Sequence, residues 1–159
     1  MNKIVSRLGR GVALGAVMAF AGLGLAVTPA NAAADTAVIA ITKQPGNYFK
    51  VTIDVVIGMT EFQAQQLKNT GHPIVLRVWG EDKVSDNVLY GPDSFKAYDV
   101  TKRGIELHTY YYFKSGTTLN EDSGWFDDEV DDIYVGAHLL NPAGSTLRSV
   151  ESNTVHGRF

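Results

Sequence analysis

Beyond residue 37 the chain carries several runs in which apolar and polar positions alternate. From Tyr48 to Ile57, Phe49, Val51, Ile53, Val55 and Ile57 share one face. Lys50, Thr52 and Asp54 share the other. A period of two carried by β-branched residues predicts a half-buried strand. The pattern returns at Ile74–Gly80, with Ile74, Leu76 and Val78 opposed to Val75, Arg77 and Trp79. It returns at Ile105–Lys114, where Ile105, Leu107, Thr109, Tyr111 and Phe113 oppose Glu106, His108, Tyr110, Tyr112 and Lys114. It returns again at Asp132–Leu140, with Ile133, Val135, Ala137 and Leu139 inward. Shorter candidates are Val38–Ile41, Val88–Tyr90 and Phe95–Thr101, and Thr146–His156 closes the chain. Residues 33–37 read as a loose arm.

Turn chemistry separates nearly every pair of runs. Gln44-Pro45-Gly46-Asn47, Gly91-Pro92-Asp93, Lys102-Arg103-Gly104, Ser115-Gly116 and Asn141-Pro142-Ala143-Gly144 all carry turn formers. One helix is expected near residues 61–70. Thr60 caps it, Gln63 completes a capping box and Gly71 stops it. Phe62 and Leu67 are its expected docking residues, with Gln65 and Gln66 outward. Seven or eight short strands with one helix predict an all-β antiparallel β-sandwich of immunoglobulin-like architecture. A small β-barrel is the alternative.

The first 32 residues follow a different logic. Lys3, Arg7 and Arg10 precede an uncharged run from Gly11 to Val27, and Ala30-Asn31-Ala32 follows. A positive start, an apolar stretch and an A-x-A site predict a secretory signal peptide cut after Ala32. The apolar run is shorter than the roughly 20 residues a spanning helix needs. The expectation is therefore a secreted single domain over residues 33–159, with no membrane segment after cleavage.

Composition narrows the chemistry. There is no Cys among the 159 residues. Disulfide frameworks, thiolate nucleophiles and cysteine-held zinc are thereby excluded. Loss of the leader takes the basic side chains from 14 to 11 against 17 acids, a balance of −6. Such a surface repels phosphate, so nucleic acid is not expected as a partner. The nucleophile elbow G-x-S-x-G and the zinc motif H-E-x-x-H are both missing. A non-enzymatic binding or interaction module is the expected function. A small secreted hydrolase working with a carboxylate pair is an alternative.

Two features carry candidate sites. Seven of the 17 acids fall between residues 120 and 132. A solvated acidic loop accounts for this segment. The alternative is a calcium-stabilised module, because Ca²⁺ takes several carboxylate and carbonyl oxygens. Its ligands would be Asp122, Asp127, Asp128 and Asp131, joined by Asp82 or Asp86 if both acidic loops share one end of the sandwich. The EF-hand pattern itself fails, since position six lacks Gly and position twelve is His138. The second feature is aromatic. Tyr110 and Tyr112 share a strand face, and Trp79 and Trp125 stand beside the two acidic loops. Core packing is the first expectation for these rings. A surface for an extracellular protein or glycan is the second. His72, His108, His138 and His156 are scattered, and His108 and His138 would meet only if their strands were neighbours.

Overall fold

The computed structural model describes residues 32–81, 86–120 and 130–159. These form nine strands and one helix: β1 (Thr36–Gln44), β2 (Tyr48–Gly58), α1 (Glu61–Asn69), β3 (Ile74–Gly80), β4 (Asn87–Phe95), β5 (Asp99–Thr101), β6 (Gly104–Lys114), β7 (Asp131–Leu140), β8 (Thr146–Glu151) and β9 (Val155–Gly157). One sheet has the order β1-β2-β6-β5. The other has β4-β3-β7-β8, with β9 also paired to β7. All pairings are antiparallel. Lettered along the chain, these orders are A-B-E-D facing C′-C-F-G, the immunoglobulin-like arrangement. The fold is an open β-sandwich; the described strands do not close into a barrel.

The alternating faces explain the layers. Val51, Ile53, Val55 and Ile57 of β2 and Ile105, Leu107 and Phe113 of β6 are buried from one sheet. Ile74, Leu76 and Val78 of β3 and Ile133, Val135, Ala137 and Leu139 of β7 are buried from the other. They form one continuous core. Full burial of each large aliphatic is worth about 1.5–3 kcal/mol, which is how a domain without disulfides holds two sheets together.

Four expectations change. The arm is not loose, because Thr36 already belongs to β1 and Asp35 is tied down. Phe95–Thr101 is not one strand: β4 ends at Phe95 in one sheet and β5 starts at Asp99 in the other. Thr146–His156 likewise breaks at residues 152–154 into β8 and β9. Finally, α1 has its capping box, but it docks through Ala64 and Leu67, leaving Phe62 74% exposed. A helix of nine residues presents a narrow buried stripe, and Phe62 falls outside it.

One flank of the sandwich is closed by polar ties. Arg148 of β8 donates from Nε and Nη2 to the Asp35 carboxylate at 3.0 and 2.6 Å. Asp35 also accepts the Gly58 N–H at 2.8 Å. Asn153 donates to the Ile39 carbonyl and accepts the Ile39 N–H, so its amide stands in for a missing strand partner. The segment before β1 crosses directly over Gly58. A Cβ there would lie 1.5 Å from the Ala33 carbonyl oxygen, so only glycine fits. Asp35→Ala should lower stability by about 1–2 kcal/mol, a charged hydrogen-bond tie discounted for partial exposure. Gly58→Ala should destabilise at least as much, by expelling the same segment. Urea unfolding of both variants against the parent tests this.

Candidate functional site

The outer face of the β4-β3-β7-β8 sheet holds the most developed side-chain constellation. Because Leu76 and Val78 point inward, Arg77 and Trp79 must point out. By the same parity Tyr134, Gly136 and His138 of β7 point out. The register places Trp79 beside Tyr134, Arg77 beside Gly136, and Val75 beside His138. Glu151 of β8 flanks Gly136 on its other side. The Trp79 and Tyr134 rings are parallel within 8°, with centroids 6.3 Å apart. Both residues are half-buried.

Gly136 is the floor of this site. A Cβ on it would lie 3.0 Å from the Trp79 indole nitrogen and 3.4 Å from His138 Nε2. The bare backbone thus lets an indole N–H and an imidazole nitrogen approach one point. A guanidinium on β3 and a carboxylate on β8 stand at cross-strand positions beside it. The Tyr134 hydroxyl donates to the Asp86 carboxylate at 2.9 Å, which fixes the ring. Burial foremost, then Asp86, keeps the Tyr134 phenol protonated well above its ordinary range. Burial also pushes the His138 pKa down; the Arg77 charge adds to this and Glu151 opposes it. The arrangement offers donors, acceptors and ring surface together.

The outer face of the β1-β2-β6-β5 sheet presents more exposed rings. Tyr110 and Tyr112 are 51% and 56% exposed, with rings edge to face at 5.6 Å. They do not enter the core, because Thr109, Tyr111 and Phe113 take that side. The Lys50 ammonium lies 4.5 Å from the Tyr110 ring centre. Beside them His108 is hydrogen-bonded through Nδ1 to Asp54 on β2. His108 and His138 therefore lie on opposite sheets and do not meet. An open groove of about 520 Å³ runs from α1 along β5 to His108, lined in part by Lys68, Lys96, Asp99 and Glu106.

The bases of the two acidic loops do converge. The Glu81 N–H donates to the Asp132 carbonyl at 2.7 Å. Asp82, Asp122, Asp127, Asp128 and Trp125 lie outside the described residues. Asp131 is buried in β7 opposite Gly157, and Asp86 accepts from Tyr134. Nearby, Glu81 accepts from the Thr154 hydroxyl and Asp132 pairs with His156. Among the described residues no group of three or more His, Asp or Glu side chains is placed to hold a metal ion.

Sequence reasoning found Trp79, Tyr110 and Tyr112 but missed Arg77, Tyr134, Gly136, His138 and Glu151 as one group. The available signal was Gly136, since an isolated glycine inside a strand marks a close approach.

The lowered His138 pKa has a consequence for stability. The folded state holds the imidazole neutral, while the unfolded chain takes up its proton near the ordinary value of 6.5. The unfolded state therefore binds more protons as pH falls through that range, and stability is lost on acidification. His138→Gln should lose less stability than the parent between about pH 8 and about pH 5, measured by urea midpoints. No protein-family model, curated protein or solved structure matches the chain, so the site must be interpreted from its own geometry.

Proposed function

We propose that the protein is a secreted, non-enzymatic binding module. Its ligand face is the outer surface of the β4-β3-β7-β8 sheet, and its ligand is an extracellular glycan. The observation that carries this reading is the convergence of Trp79 Nε1 and His138 Nε2 over the bare backbone of Gly136, beside the Trp79–Tyr134 rings. A sugar ring has an apolar face of C–H groups and an equatorial belt of hydroxyls. Aromatic rings supply apolar area at low entropy cost for the first. Arg77, His138, Glu151 and the indole N–H supply hydrogen bonds for the second. Half-buried rings on a rigid sheet are pre-organised, which reduces the ordering cost of binding. Export is the reading of the first 32 residues, and an exported product beginning at Ala33 would support it.

The test is binding of the purified chain from Ala33 onward to an array of polysaccharides and oligosaccharides. Binding should fall by about tenfold or more in Trp79→Ala, the loss of one central aromatic contact. Gly136→Ala should weaken it too, by displacing the indole. Absence of any glycan binding, or binding indifferent to both substitutions, would refute the glycan reading.

A further inference from the structure

We propose that the protein pairs with a second copy of itself through the open edge of β6. A sandwich of two sheets has four edges, and three of them are blunted. The edge of β1 is capped at Ile39 by Asn153, and the β8–β9 edge lies against β1 and is tied to Asp35 by Arg148. The edge of β4 carries Pro92 and two breaks in its register with β3. Proline, interruptions and side-chain caps are the usual protections of a free edge. The fourth edge is β6. There β5 covers only Gly104–Glu106, and no described strand pairs with the same side from Leu107 to Lys114. That stretch reads Leu-His-Thr-Tyr-Tyr-Tyr-Phe-Lys, free of Pro and Gly and rich in strand formers. An edge of this kind is a template for strand addition.

The edge is self-complementary in length and parity. Antiparallel pairing about a two-fold axis through Tyr111 sets His108 against Lys114 of the second copy and Tyr110 against its Tyr112. Both members of each pair are outward-facing, as cross-strand neighbours must be. The paired stretch, His108–Lys114, begins just past the residues β5 covers and ends at the turn around Gly116, where φ is +67°. Four tyrosines then form one row across the axis, covering rings that stand more than half exposed in the single chain. Aromatic cross-strand pairs are among the stabilising ones. Each Lys114 arrives at the end of the open groove, where Asp54 engages His108 and Asp99 stands beside it. Lys68 and Lys96 also line that groove, but the Lys68 ammonium is directed to the Tyr98 carbonyl.

The experiment is sedimentation of the purified chain from Ala33 onward, over a concentration series, with a charge swap across the axis. The parent should double in mass as concentration rises. Tyr110→Lys/Tyr112→Lys places like charges opposite each other and should weaken pairing by about tenfold or more. Tyr110→Lys/Tyr112→Glu places opposite charges there and should restore it. Both positions are exposed, and thermal unfolding of each variant confirms that the fold is kept. Hydrogen exchange of the parent gives a reading free of substitution: amides of residues 108–114 should gain protection at high concentration. A parent that stays monomeric at the highest accessible concentration overturns the proposal. So does a dimer insensitive to the double-lysine change, or one that the lysine–glutamate pair fails to restore.

Discussion

Everything on the surface of this domain depends on the parity of four buried strands. Val51, Ile53 and Val55 on β2 and Val78, Ile133 and Val135 on β3 and β7 are almost wholly removed from water. A slip of one residue in any of these strands would exchange its buried and exposed sets. At about 1.5–3 kcal/mol per large aliphatic, exposing the three to five that one strand buries would cost about 4.5–15 kcal/mol, comparable with the whole stability of about 5–15 kcal/mol usual for a domain. The core therefore fixes which side chains face outward. Trp79 faces out because Val78 faces in, and Tyr110 and Tyr112 face out because Tyr111 and Phe113 face in. No cysteine pair shares this task.

The two flanks of the sandwich are closed by different physics. On one, Asp35, Arg148 and Asn153 join β1 to β8 and the segment after it through directional hydrogen bonds. Those bonds occupy backbone groups that would otherwise be exposed. On the other, Tyr90 packs edge-on against Tyr111 and Phe113, at 4.9 and 5.1 Å between ring centres. Ring contacts hold the sheets together there without engaging the backbone of β6. The result is a domain with one flank sealed by hydrogen bonds and one where, among the described residues, ring contacts join the sheets.

The strands that were legible in the sequence are those with long, uninterrupted alternation: β2, β3, β6 and β7. Their faces follow from period two alone. The breaks between β4 and β5 and between β8 and β9 were not legible, because leaving one sheet for the other is decided by tertiary pairing. Phe95 and Val100 have the same local character on either side of the first crossing. The anchoring of Asp35 depends on Arg148, 113 residues away, which no local pattern reveals. The helix was found through its capping box, yet Phe62 was misplaced because a short helix docks on whichever stripe its neighbours leave open. For the site, Trp79 was visible as a residue type and Gly136 as an irregularity in a strand. Their meeting required the β3–β7 register, as did the place of His138 beside them.

Pairing through β6 and ligand binding on the opposite sheet would reinforce each other. A two-fold axis through Tyr111 that continues the β1-β2-β6-β5 sheet runs perpendicular to it. Both copies then turn their β4-β3-β7-β8 faces the same way, so two Trp79–Tyr134 platforms look out from one side of the pair. A single shallow platform binds weakly, since a flat sheet face encloses little of its ligand. Two platforms on one side can engage one polysaccharide chain at repeated units. Once the first is bound, the second contact becomes intramolecular, and apparent affinity can rise by about a hundredfold without any new contact type. Polymeric glycans would then be held far better than their own short fragments. That difference comes from the geometry of the edge rather than from the chemistry of the platform. An edge left open and a platform built on bare backbone would thus serve one purpose when the ligand is itself a repeat.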